Sequence, residues 1–276
     1  MKNKFKIFIM LTLALIIFTS CSDDNEVNTD GQGEVKVQLT DGPFPFDFVT
    51  EANIGVAKIE LKNSSGEYTT VFEGSATYNM IGLTNGVSTN VATTNIAVGT
   101  YVEAKITLNS ASVHLSNGTD YDLNVSSVGV QQVAIIPNLI VEDAVASEVL
   151  FDLDINDSFQ FFGMGGVSFP SWITSMNLIN GCNFNPDFRV CDRDITGEIS
   201  GTVTVDGSNE ENAQVHIFID GNKISTHTEA NGSFTFIGVE NGTYTVHVTT
   251  EGNLTSQVDN VSVVNSGSVS CTVTID

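Results

Sequence analysis

The sequence predicts an all-β protein: two antiparallel β-sandwich domains that follow a leader and a short disordered tether. Three observations predict it. From Glu34 onward the chain alternates apolar and polar residues in runs such as "EVKVQLT", "NIGVAKIELK", "YVEAKITLNSASVHL", "EVLFDLDI", "AQVHIFID" and "GTYTVHVTT". A period of two, rich in Val, Ile, Thr and aromatics, marks a half-buried strand. Between the runs stand Ser65-Gly66, Asn85-Gly86, Asn117-Gly118, Asp206-Gly207, Asp220-Gly221, Asn231-Gly232 and Asn241-Gly242. Asn or Asp before Gly supplies the positive φ angles that tight hairpins need. No long helical period appears, and only "SWITSMNLIN", residues 171–180, reads as a short helix. Short strands with turns about every ten residues favour sandwiches.

The chain opens with Lys2, Lys4 and Lys6, and then Ile7 to Phe18 carries only Thr12 as a polar residue. A membrane-spanning helix needs about 20 apolar residues, so this run is too short. A basic start and a short apolar stretch ending in small residues describe a secretory leader, here residues 1–20. The break at Thr19-Ser20-Cys21 resembles the lipobox of bacterial lipoproteins, although Phe18 stands where leucine is more usual. That resemblance implies a lipoprotein signal peptide and diacylglycerol on the Cys21 thiol. Ser22-Asp23-Asp24-Asn25-Glu26 resembles the acidic tag of Bacteroidota-type lipoproteins, which implies the outer face of the outer membrane. Residues 21–33 are then a polar, acidic leash.

Formal net charge is −23 at pH 7, from ten basic and 33 acidic residues. Without residues 1–20, seven basic residues face 33 acidic ones, a net −26. Such a chain does not bind nucleic acid, which demands Lys and Arg for its phosphates. It tolerates divalent cations. Cys182 and Cys191 bracket "CNFNPDFRVC", a span expected to close as a small disulfide in an oxidising envelope if the geometry allows. Cys271 lies in the alternating run "SVSCTVTI" and reads as a half-buried strand residue.

Residues 195–276 carry Gly201-Thr202-Val203, Ala213-Gln214-Val215, Thr228 through Asn231-Gly232-Ser233-Phe234, and Gly242-Thr243-Tyr244. This stretch resembles the carboxypeptidase regulatory-like family, close in form to transthyretin. The resemblance implies a non-catalytic seven-stranded sandwich. Phe234 and Phe236 share one strand face and are expected to fill its core. Residues 34–162 carry "VKVQLTDGP", "NIGVAKIEL", "TYNMIGLTNG" and "FDLDINDSF". They resemble domain-of-unknown-function family 4382, which implies a β-rich envelope domain without assigned chemistry. Residues 163–194 read as an inserted loop and linker.

Three constellations are candidates for chemistry. In "FDLDINDS" a continued strand places Asp152, Asp154 and Asn156 on one face, with Asp157 at its end. A calcium loop of the EF-hand type fails there, because Asp157 stands where Gly is needed and Gly163 where Glu is needed. Calcium at Asp152, Asp154, Asn156 and Asp157 is therefore the one cofactor weighed, against a solvated strand face. Phe44, Phe46 and Phe48, with Phe169 and Trp172, are the candidate ligand-binding rings, against the alternative that they plug a core. His114, His216, His227 and His247 are scattered. None forms an H-E-x-x-H pair, and His216 and His247 read as ordinary face residues. No G-x-S-x-G elbow appears. The expected function is non-catalytic binding at the cell surface: adhesion, or capture of a glycan or other polymer. The alternative is a structural spacer whose partner is an envelope or host protein, and an enzyme comes third.

Overall fold

The structure is a computed structural model that describes residues 31–41, 48–163 and 179–276. The leader, Cys21, Phe44, Phe46, Phe169, Trp172 and most of the helix expected over 171–180 lie outside the described residues.

The first domain runs through β1 (Gln32–Asp41), β2 (Val49–Asn63), β3 (Tyr68–Asn79), β4 (Ser88–Ala97), β5 (Gly99–Leu115), β6 (Asp120–Leu123), β7 (Val130–Val141), β8 (Ala146–Leu153), the one-turn helix α1 (Ile155–Ser158), β9 (Phe159–Gly163), β10 (Ile179–Phe184) and β11 (Phe188–Asp192). Nine of its strands make one sheet in the order β3-β2-β5-β7-β11-β8-β1-β4, with β6 on β5, while β9 and β10 pair as a separate ribbon. The sheet turns over at β7, which is in register with β5 along most of its length but meets β11 at the single pair Val190↔Ile135. Both halves thus close on one core. Val35, Val37 and Leu39 of β1 meet Ile54, Ile59 and Leu61 of β2 and Ile106 of β5 there. Each such side chain contributes about 1.5–3 kcal/mol on burial, and the alternation read from the sequence is what turns them all to one side.

The second domain runs through β12 (Gly197–Val205), β13 (Ser208–Asn209), β14 (Gln214–Ile219), β15 (Asn222–His227), β16 (Ser233–Val239), β17 (Gly242–Thr249), β18 (Thr255–Val263) and β19 (Ser268–Ile275). It is a sandwich of two four-stranded sheets, one of β13, β12, β16 and β19, the other in the order β15-β14-β17-β18. Phe234 and Phe236 fill its core as expected, with ring centroids 6.0 Å apart. The Asp220-Gly221 turn has φ of 48° and 82° between paired Ile219 and Asn222. That double positive φ is the hairpin geometry its sequence predicts.

The structure corrects three expectations. The sheets are mixed: β1 runs parallel to β8, β11 to β7, and β12 to β19. Residues 163–194 are not all loop and linker, because β10 pairs with β9 and β11 fills an inner position between β7 and β8. Only residues 193–196 separate Asp192 from Gly197, and they are pinned: Arg193 N donates to Glu148 O at 2.8 Å and Thr196 Oγ1 to Asp192 O at 3.0 Å. The expected disulfide is absent, since Cys182 and Cys191 are both buried free thiols. Cys182 lies in the first domain's core, whereas Cys191 packs between Leu150 and Ile237. The insertion of β11 into the main sheet holds the two thiols in separate clusters.

Candidate functional site

Leu150, Cys191 and Ile237 form a small apolar cluster that joins the two domains. Beside it stands Arg189. It projects from β11, and its Nη2 donates to Asp152 Oδ2 at 2.7 Å. The same guanidinium crosses to the second domain, where Nη2 donates to Ile237 O at 2.7 Å and Nη1 to Gly238 O at 2.5 Å. Burial is the largest single influence and works against the Arg189 charge, but Asp152 and Cys191 together raise its pKa. Planar guanidinium suits such forked contacts in a way that lysine does not. Gly238 makes the approach possible. Its φ is +68°, and a Cβ there would lie 2.7 Å from Cys191 Sγ and 3.1 Å from Arg189 Nη1.

Next to this clasp a cleft of about 480 Å³ opens between the domains. One wall is Asp152, Asp154, Asp187 and Ile136 of the first domain, and the other is Asp220, Lys223, Ser225 and Glu240 of the second. Five carboxylates thus face two cations, Arg189 and Lys223. Apolar surface comes from Ile219, Ile224 and Ile136, of which Ile136 is 46% exposed.

Asp154 is the second link across the gap. Its Oδ1 accepts from Asp157 N at 2.9 Å, which caps α1, and its Oδ2 accepts from Ser225 Oγ at 2.9 Å. Asp is among the favoured N-cap residues for this reason. Burial pushes its pKa up to about 6, opposed in part by the Asp157 N–H. Burial also raises Asp187, helped by the neighbouring charges of Asp157 and Asp152, and raises Glu240, helped by Asp220. Glu240 Oε1 is buried without a hydrogen-bond partner.

Of the residues singled out in the sequence, Asp152 and Asp154 reach the cleft, but not as rungs of one ladder. The strand stops at Leu153, Asp154 caps the helix, and Asn156 and Asp157 lie on α1. Asp152 is held by Arg189, and both Asp154 oxygens accept protein hydrogen bonds. Among the described residues no three His, Cys, Asp or Glu side chains gather as a metal site. Phe48 is corrected as a ligand-binding ring: it is 8% exposed and packs edge-on against Phe161 at 5.7 Å. Sequence reasoning missed Arg189, Asp187, Asp220, Lys223, Ser225 and Glu240. The available signal was that the chain's two arginines, Arg189 and Arg193, both fall at the domain boundary.

Comparison with known proteins gives two family matches. One is the family described as domain of unknown function (DUF4382), over residues 32–168; the other is the carboxypeptidase regulatory-like domain, over residues 198–276. No curated protein matches. Among solved structures, a cohesin–X-dockerin complex from Acetivibrio cellulolyticus is 30% identical over 28% of this chain and 52% of that one, with a TM-score of 0.23. The Bacillus anthracis TIE protein is 13% identical over 88% of this chain and 51% of its own, with a TM-score of 0.24. The shaft pilin SpaA of Lactobacillus rhamnosus GG is 11% identical over 89% and 97%, with a TM-score of 0.25. Superpositions at this level establish neither fold nor function. The chain spans about half the length of the first of these, at 52%. What the family matches establish is that this chain joins a DUF4382 domain, residues 32–168, to a carboxypeptidase regulatory-like domain, residues 198–276.

Proposed function

We propose that the chain is a non-catalytic binding protein, anchored by lipid on Cys21 at the outer membrane and facing the exterior, and that the interdomain cleft is its recognition site. The observation that carries the reading is a cleft of about 480 Å³ with walls from both domains, a size within the range of about 300–1,000 Å³ typical of ligand sites. Carboxylate oxygens and the Ser225 hydroxyl suit a hydroxyl-rich ligand, and the isoleucine flanks suit the apolar face of a sugar ring. A glycan or related polymer fits this mixture, whereas a polyanion does not.

The test is a glycan and matrix-polymer array probed with the mature chain, alongside Asp187→Ala and Ile136→Asp. Retention on one polymer class, lost in both cleft variants, is expected. Retention on none overturns the reading. The second reading, a structural spacer, draws on the Arg189 clasp, which fixes the two domains against each other. Cross-linking on whole cells distinguishes them, because a spacer yields one stoichiometric envelope partner and no polymer binding.

A further inference from the structure

The outer face of the β15-β14-β17-β18 sheet carries one cross-strand row. Ser225 pairs with His216, His216 with His247, and His247 with Gln257. Directly paired residues on neighbouring strands point to the same side, with Cβ atoms about 4.5–5.5 Å apart. The His216 and His247 rings stack with centroids 4.9 Å apart and planes 15° apart. Phe218 stands edge-on to both, at 5.5 Å from His216 and 6.1 Å from His247. It is 49% exposed, so the rings lie at a solvent-facing surface. A hollow of about 430 Å³ opens at the pair, bordered by Thr249, Ser256 and Gln257.

One polar atom here is out of balance. His216 Nδ1 is buried and has no hydrogen-bond partner. A buried imidazole nitrogen normally has a protein, water or ion partner. Ser225 and Lys223 of the cleft wall border the pair, but neither gives His216 Nδ1 a hydrogen bond.

We propose that His216 and His247 together bind one first-row transition-metal ion of the Zn²⁺, Ni²⁺ or Cu²⁺ class. Imidazole nitrogen is the donor these ions favour. Zinc–nitrogen bonds of about 2.0–2.1 Å place two adjacent donor nitrogens roughly 3.3 Å apart. The His216 and His247 rings stand 4.9 Å apart on paired strands, and to share an ion they turn out of the stack so that their in-plane lone pairs converge. The site is a two-nitrogen chelate whose other positions fall to water and to the Gln257 amide oxygen. Two charges stand close. Lys223 is the register partner of Phe218, and Asp259 holds Gln257 through Nε2 at 3.1 Å. The chain's net charge of −23 favours a cation overall.

The experiment is isothermal titration of the full chain with Zn²⁺ and Ni²⁺, each alone, for wild type, His216→Gln, His247→Gln and the remote control His114→Gln. Far-UV circular dichroism and melting curves establish that each variant is folded. Wild type and His114→Gln are expected to share a one-to-one isotherm. Either pair variant is expected to weaken it by roughly a hundredfold, the lower end of what a second linked contact adds. Absence of saturable binding in wild type overturns the proposal. So does a folded His216→Gln or His247→Gln that binds as wild type does. Polymer binding in the array is read from the cleft and is independent of this outcome.

Discussion

Replacing Arg189 with Met keeps an unbranched apolar stem and removes the guanidinium with every bond it makes. Three oxygen acceptors lose their donor at once, Asp152 Oδ2, Ile237 O and Gly238 O, along with the long contact to Cys191 Sγ. Asp152 and Arg189 are each only 18% exposed at the side chain, so water does not easily replace the guanidinium. Removing one partner of such an enclosed pair costs about 3–5 kcal/mol. The cost falls on the junction, because two of the three lost bonds cross between domains. Differential scanning calorimetry reads it. Wild type is expected to melt as one coupled event, and Arg189→Met as two, with each domain near its own intrinsic temperature. Asp152→Asn serves as the partial perturbation: it keeps an acceptor and both interdomain bonds, and is expected to cost about 1.5–3 kcal/mol, the worth of one charge-assisted hydrogen bond. If Arg189→Met melts as wild type does, in midpoint and number of transitions, the guanidinium does not couple the domains and the reasoning fails.

Two further outcomes follow from burial. Asp154 titrates at about 6 in the folded chain against an ordinary 3.8, so its proton-linked stabilisation is fully present below pH 3.8 and is lost as pH rises through 6. Two pKa units amount to ~3 kcal/mol as a ceiling. Asp154→Asn keeps the cap oxygen and presents an amide N–H to Ser225, whose hydroxyl then accepts instead of donating; it is expected to gain urea resistance at pH 7.5 but not at pH 4, and equal shifts at both pH values count against it. Burial pushes the Cys182 thiol up to about 12 and raises Cys191 as well. Both are expected to ignore a thiol reagent in the native chain and to react fully in urea without reductant. An unreactive pair in urea would restore the disulfide.

The sequence made the two sandwiches legible because one face of nearly every long strand is apolar. Val35, Val37 and Leu39, or Phe234 and Phe236, need only a period of two to be placed inside. Residues 188–192 escaped because "FRVCD" is five residues long, too short for alternation to stand out, and its inner position depends on β7 and β8 on either side. "FDLDINDS" reads as strand as far as Asn156, since Asp152, Asp154 and Asn156 keep the period. The local competitor won at Asp154, where the carboxylate caps a turn of helix through Asp157 N. That signal, Asp followed by an acidic residue three positions later, was in the sequence. The cleft was not, because its walls come from residues as far apart as Ile136 and Glu240, and no single stretch records their meeting.

The position of β1 sets how the molecule bears load. The chain enters the first domain not at a sheet edge but along an inner strand, bonded to β4 on one side and, over Glu34–Asp41, in parallel to β8 on the other. A pull from the N-terminal side therefore acts along the strand rather than across it. The flanking bonds must shear together instead of opening one by one like a zip. From β8 the strain passes to β11 and, through Arg189, into the second domain, so tension applied at one end is shared by both sandwiches before either yields.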